Sequence, residues 1–146
     1  MRAFHAVKGY EDRGVELPSR GTKFSAGYDF KTLERVEILP GETKVIPTGV
    51  KAEMEKDDVL LIVPRSSVGI KKGVVLANTV GVIDADYFEN PKNDGHIMLA
   101  LKNTSDRTAV FEKGERVAQG IFVKYGIVAD DAAVSERKGG TGSTGK

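Results

Sequence analysis

Residues 59 to 64 read VLLIVP and residues 116 to 123 read RVAQGIFV. The first is a continuous apolar run, rich in β-branched residues, too short for a helix and closed by a proline. Those features describe a buried strand. The second is two residues longer and alternates less cleanly but has the same character. Working outward, the pattern repeats as VEIL (36 to 39), KVIPTGV (44 to 50), GVVLAN (73 to 78), HIMLALKN (96 to 103) and TAVF (108 to 111), with turn formers such as LPGETK and EKGERV between the runs. Many short strands at this spacing predict an all-β sandwich or closed barrel. Helical periodicity is nearly absent, and SSVGIK at 66 to 71 is expected to form at most one short helical turn.

A chain of 146 residues with 40% hydrophobic and 29% charged residues suits one globular domain. Twenty-two basic residues nearly cancel 21 acidic ones, for a formal charge of +1. No overall field therefore favours stable nucleic-acid or membrane binding, and any anion site must be local. Cysteine is absent, which removes disulfides, thiolate catalysis and sulfur-ligated zinc. No apolar run approaches a membrane span, and the N-terminal MRAFHAVKGYEDRG lacks the hydrophobic stretch of a signal peptide, so a cytoplasmic protein is expected. The expected division is a barrel over residues 1–134 and a flexible glycine-rich lid over 135–146, SERKGGTGSTGK.

Several stretches depart from plain strand rhythm. GVIDADYFEN at 81 to 90 leads from core-type residues into Asp84 and Asp86, which would share one face of a strand. Two close carboxylates require a cation, a metal or water, so the pair marks an exposed strand end or a functional site. Arg65, Ser66 and Ser67 follow the 59–64 strand, where a guanidinium and hydroxyls can grip phosphate oxygens. Pairing of Arg65 with a carboxylate is the alternative. Gln119 is a lone amide in an apolar strand and needs a partner. NPKNDG at 90 to 95 reads as an exposed loop or hairpin tip. The terminal GGTGSTGK spells GxxxxGK, yet a P-loop needs a preceding strand and a following helix within an α/β fold, and no such pattern lies upstream.

Taken in order, AGYDF (26 to 30), PRSS (64 to 67), NTVGVIDADY (78 to 87), RVAQGIF (116 to 122) and RKGGTGSTG (137 to 145) resemble the five motifs of the trimeric deoxyuridine triphosphate nucleotidohydrolases, the dUTPases. The resemblance implies a distorted jelly-roll-like β-barrel, a homotrimer with shared active sites, and Mg²⁺-assisted hydrolysis of dUTP to dUMP and pyrophosphate. That reaction limits uracil in DNA and supplies dUMP for dTMP synthesis. By the same resemblance Asp84 orients and activates the attacking water and meets the sugar 3′-OH, while Asp86 supports the turn. Asp29 would hold waters of a hydrated Mg²⁺. Asn78 and the backbone of Gly81, Val82 and Ile83 would bind uracil, and Tyr87 would pack beneath the deoxyribose. Arg65, Ser66, Ser67, Gln119, Arg137, Gly142, Ser143 and Thr144 would contact the phosphates, the last four from a tail that closes over a neighbouring subunit's site.

The sequence departs from the family pattern at four places. Thr141 stands where an aromatic ring usually stacks on the base, the tail is one residue shorter between Arg137 and Gly139, Ser67 replaces a frequent glycine as in a bacterial and phage-like branch, and Phe88 with NPKNDG replaces a short Arg-Gly turn. Three alternatives fit the sequence less well. A dCTP deaminase needs a glutamate where Ala100 stands in HIMLALKN. A regulatory protein with this fold would bind a protein partner through Asn90 to Gly95. A zinc hydrolase has only His5 and His96 to draw on, without metal-site spacing.

Overall fold

The computed structural model describes residues 1–140. Its centre is the pairing of β7 (Asp58–Pro64) with β12 (Arg116–Lys124), which runs antiparallel from Ala118 opposite Pro64 to Lys124 opposite Asp58. β12 also pairs with β3 (Tyr28–Lys31), with a register shift between Arg116 and Ala118. With β2 (Ser19–Arg20) outside β3 and β9 (Gly81–Asp84) outside β7, this makes a five-stranded sheet ordered β2-β3-β12-β7-β9. Gly120 is required at its centre, because a Cβ there would lie 3.0 Å from both Leu60 and Phe30 side-chain atoms.

Facing it is a three-stranded sheet, β5 (Thr43–Pro47), β10 (Met98–Asn103) and β8 (Val74–Leu76), with two further ribbons, β1 (Ala3–Ala6) with β6 (Val50–Glu53) and β4 (Val36–Ile38) with β11 (Ala109–Phe111). Every pairing is antiparallel, as the alternation of the strands anticipates. Alternate residues of each strand point inward. Phe30, Leu60 and Ile62 from the large sheet thus share one core with Val74, Leu99 and Leu101 from the small one and Ile38 and Phe111 from the β4–β11 ribbon. Phe4 fixes the β1–β6 ribbon to the large sheet, edge-on to Phe30 at 5.7 Å and tilted on Phe122 at 5.5 Å between ring centroids.

Two segments differ from the expected strand map. KVIPTGV is not one strand: β5 ends at Pro47, Gly49 turns the chain at φ +73, and Val50 begins β6 in a different ribbon. Beside the helical turn expected near 66–71, found at Val68–Lys72, a single 3-10 turn covers Ala85–Tyr87. No helix among the described residues is long and apolar enough to cross a membrane.

Buried polar groups are satisfied inside this barrel. Asn103 is fully buried; its amide nitrogen donates to the Ile38 and Arg107 carbonyls at 2.8 and 2.7 Å, and its oxygen accepts from the Ser105 N–H and hydroxyl. Asp58 is equally buried and accepts two bonds from the Arg2 guanidinium at 2.8 Å, one from the Glu55 N–H at 3.0 Å, and pairs with Lys124 at 3.0 Å. The Arg2 bonds, helped by Lys124, hold the Asp58 carboxyl below its ordinary pKa against the opposing effect of burial. A depressed folded pKa contributes stability above the unfolded value of about 3.9, and that contribution is lost as pH falls through the folded value. The melting temperature is therefore expected to stay level down to about pH 5 and to fall below about pH 4. Asp58→Asn should lower it at pH 7 and flatten the acid limb, measured by circular dichroism across a pH series.

Candidate active site

The sheets diverge between β8 and β9. These strands are neighbours in sequence, yet β8 pairs with β10 in the small sheet while β9 pairs with β7 in the large one. The connection turns at Thr79, which adopts φ +67, and is closed by Thr79 N–H to Leu76 O at 3.0 Å and Val80 N–H to Asn78 O at 2.7 Å. Between the separating strands lies a cavity of about 420 Å³, within the usual range of a small-molecule site. Asn78, Gly81, Val82, Ile83, Asp84 and Tyr87 line one wall, so all six residues anticipated in this segment come together. Met98, Leu99 and Ala100 of β10 form the opposite wall, and Ile62 and Leu76 close the bottom. Gly81 keeps the wall thin, since a Cβ there would sit 3.0 Å from the Ile62 Cβ.

Arg137 and Gly140 of the tail reach the same cavity. The Arg137 guanidinium donates to Asp84 Oδ2 and to Asp86 Oδ1, both at 2.6 Å. The bond to Asp86, then the fields of Asp86 and Asp84, raise the Arg137 pKa, so the cation is fixed. The two carboxylates do not share a strand face: Asp84 ends β9 and Asp86 lies in the 3-10 turn. A bridging cation brings them together instead.

The remaining anticipated residues form a second cluster outside that cavity. Asp29 and Gln119 are cross-strand partners in β3 and β12. Arg65, just beyond β7, places its Nε 3.2 Å from Asp29 Oδ1, and Arg116 lies 3.6 Å from Oδ2. Of the two readings of Arg65, carboxylate pairing is the one found in the single chain. Gln119 donates to the Pro64 carbonyl at 3.4 Å and occupies the space where a side chain on Gly27 would sit. Ser66 is exposed and Ser67 half-buried at the start of the helical turn. Thr141, Gly142, Ser143 and Thr144 lie outside the described residues.

NPKNDG is an exposed tip only at Pro91 and Lys92. Asn90 is only 5% exposed. Its Oδ1 accepts from the N–H groups of Lys92 and Asn93 at 3.1 and 3.2 Å, and its Nδ2 donates to the Tyr87 carbonyl at 2.8 Å, so the asparagines fold the segment inward as an Asx-type turn. Lys51 of β6 anchors it through Glu89 at 2.9 Å and Asp94 at 2.9 Å. Burial works against the Lys51 charge, but those bonds outweigh it and keep its pKa above the ordinary lysine value. Asn93 lines the cavity, a position that turn composition alone did not reveal. Two asparagines three residues apart, each able to cap backbone N–H groups, were the available signal. Of the histidines, His5 pairs with Glu53 at 2.9 Å, and buried His96 accepts from the Gly49 N–H at 2.9 Å, with burial lowering its pKa.

Against known proteins, the family model for dUTPase matches residues 13–145. The chain belongs to the dUTPase family. Among relatives, it is 49% identical over 148 residues to the deoxyuridine 5′-triphosphate nucleotidohydrolase of Lactococcus lactis, covering 99% of this chain and 98% of that one. The corresponding protein of Actinobacillus succinogenes is 41% identical over 138 residues, covering 89% and 87%. The crystal structure of the dUTPase from Streptococcus mutans superposes with a TM-score of 0.79 at 49% identity, over 86% of this chain and 97% of that chain. This dUTPase-family barrel thus has the jelly-roll architecture that its motifs imply.

The cavity wall depends on Gly95, which adopts φ +82 and whose Cβ would fall 2.8 Å from the Tyr87 carbonyl and 3.0 Å from the Glu89 N–H. These are backbone atoms, so relief requires moving the segment that carries Tyr87. Gly95→Ala is expected to cost about 1–3 kcal/mol, read as a lower urea midpoint with an unchanged slope.

Proposed function

We propose that the chain hydrolyses dUTP to dUMP and pyrophosphate in the cavity between β9 and β10, by attack of water on the α-phosphorus. The observation that carries this reading is the convergence of Asn78, Gly81, Asp84, Tyr87 and Arg137 on one cavity of nucleoside size. Hydrolysis of a phosphoanhydride requires a positioned water, a group to orient and deprotonate it, and cations for the charge on the phosphates. Asp84 stands at the mouth, half exposed, with one oxygen engaged by Arg137. When the triphosphate draws that guanidinium to itself, the Asp84 carboxylate is released to hold the water. Asp86 keeps the turn and a share of the arginine.

Uracil fits the Asn78–Ile83 segment through backbone groups and the Asn78 amide. The deoxyribose lies on Tyr87, whose hydroxyl is already engaged, so a ribose 2′-OH finds no partner there. An unsatisfied buried hydroxyl costs about 1–3 kcal/mol, roughly 5- to 150-fold in selectivity. Ala100 on the opposite wall presents a methyl where a deaminase needs its glutamate, and deamination is not favoured.

Among the described residues no group of three or more His, Cys, Asp and Glu side chains is placed to hold a metal. Asp29 has each oxygen beside a guanidinium, but its remaining lone pairs can accept hydrogen bonds from the waters of a hydrated ion. This donor set fits Mg²⁺ held by the triphosphate with Asp29 in its outer sphere, and does not fit a cage of direct ligands. Bound in that way the ion would neutralise phosphate charge.

Assembly as a homotrimer is part of the proposal. The outward face of the small sheet carries Val45, Val75 and Met98, each more than a third exposed, and Met98 also lines the cavity. A second copy covering that face would meet the site and would carry the Asp29–Arg65–Gln119 cluster toward a neighbour's phosphates. In that assembly residues 135–146 would exchange their own cavity for the neighbour's as a lid, each site then receiving an equivalent arginine. Within the single chain, Arg137 and Gly140 lie over their own cavity. Both the soluble substrate and the near-neutral chain suit the cytoplasm.

Incubation with dUTP, dCTP, dTTP and UTP plus Mg²⁺ is expected to convert dUTP alone to its monophosphate, with products resolved by ion exchange; an inert protein would end the proposal. Asp84→Asn should reduce kcat by at least about 10²-fold while nucleotide still binds, and retained turnover would remove Asp84 from its role. Deleting residues 137–146 should depress turnover strongly and leave the oligomer intact by light scattering, whereas an unchanged rate would refute the lid.

A further inference from the structure

Tyr87 carries its ring on a chain of bonds supplied by the 88–95 segment. Its hydroxyl donates to the His96 carbonyl at 2.6 Å and accepts from the Asn93 side-chain nitrogen at 2.7 Å. Asn93 is itself fixed, because its oxygen accepts from the Asn90 amide at 2.7 Å and from the Gly95 N–H at 3.2 Å. Asn90 is buried and returns a bond to the Tyr87 carbonyl. The tyrosine is therefore gripped at both ends, by its hydroxyl and by its backbone, within one closed ring of polar contacts. Such a ring needs a rigid base, and here the base is ionic: Lys51 holds Glu89 and Asp94, and the Lys8 N–H donates to Asp94 at 2.8 Å. Glu89 and Asp94 adopt φ of +53 and +61, conformations that non-glycine residues adopt only where their surroundings hold them.

Asn93 also stands on the cavity surface, beside Tyr87 and below the tail. A Cβ added to Gly140 would lie 3.0 Å from Tyr87 Cε1 and 3.4 Å from Asn93 Nδ2. The tail thus packs on the same two side chains that would face the sugar, and a side chain at Gly140 would press on both.

We propose that Asn93 is a positioning residue for sugar discrimination, which fixes the Tyr87 ring through its hydroxyl and thereby sets the clearance beneath the sugar's C2′. The inference rests on the dUTPase reading of the cavity. It follows that discrimination against ribose is a property of the 88–95 segment as much as of the tyrosine. With Asn93 in place, the hydroxyl has one donor and one acceptor and no freedom to turn toward a ribonucleotide. Without Asn93, the phenolic oxygen regains an open lone pair and the ring regains freedom to tilt. A 2′-OH could then be accommodated by a small ring movement and a hydrogen bond to that lone pair.

The test compares kcat/KM for dUTP and for UTP in the wild-type full chain, Asn93→Ala, Tyr87→Phe and the double variant, each checked for its assembly state by light scattering. Loss of a single neutral hydrogen bond of this kind corresponds to about 3- to 10-fold. Asn93→Ala is expected to narrow the dUTP-to-UTP ratio by that factor, mainly through a lower KM for UTP and a higher KM for dUTP, with kcat for dUTP changed less. The double variant should match Tyr87→Phe alone, because the asparagine acts through the hydroxyl that Tyr87→Phe removes. An unchanged ratio in Asn93→Ala overturns the inference, as does equal loss toward both nucleotides, which marks a merely structural role. If Asn93→Ala does not fold, Tyr87→Phe addresses the same bond from the other side, and an unchanged ratio there is equally fatal. A wild-type protein that leaves dUTP intact removes the dUTPase reading itself, a result separate from any of these.

Discussion

Two consecutive strands that hydrogen-bond into different sheets impose the main constraint on this molecule. β8 must satisfy its backbone against β10, and β9 must satisfy its own against β7, so the short connection from Ala77 to Val80 has to span the gap between sheets. Unpaired backbone groups in the interior are costly, and the arrangement persists because each strand finds a full partner. A gap between two satisfied sheets is a cavity that needs no flexible loop to make it. Its walls include Gly81 to Asp84 of β9 and Met98, Leu99 and Ala100 of β10 around one space.

Most of the barrel was legible in the sequence, since strands of β-branched residues closed by turn formers have few other solutions. The split of KVIPTGV was not, because Pro47, Thr48 and Gly49 sit inside a run whose hydrophobicity continues across the break. Only the positive φ at Gly49, together with pairing to distant partners, divides it. The residues of the cavity wall were legible through the family motifs, yet their reasons were partly different. Alternation alone puts Asp84 and Asp86 on one strand face, but the chain leaves strand geometry after Asp84 and a guanidinium supplies the link.

The 88–95 segment marks the limit of composition as a guide. Asparagine, proline, lysine and aspartate ordinarily signal a solvated turn, and here Pro91 and Lys92 stay exposed while Asn90, Asn93 and Asp94 turn inward to polar partners. The difference is reciprocity: Asn90 and Asn93 bond to each other, to backbone and to Tyr87, so each buried polar atom has a partner. Among the described residues, no buried side-chain polar atom lacks one. Such closure is a property of three-dimensional arrangement, and no window of sequence displays it.

The Arg137 bridge has a consequence for how an anion arrives. A nucleoside triphosphate carries several negative charges, and two bare carboxylates at the mouth of its site would repel it over a distance of about 8 Å at physiological salt. With the guanidinium seated between Asp84 and Asp86, one of those two negative charges is offset. On the proposed reading the phosphates would compete for the same cation and, on taking it, would leave both carboxylates uncompensated. Arg137 is in this sense a counter-ion shared by the two acids, and on the proposed reading the order in which it would change partners separates entry from chemistry.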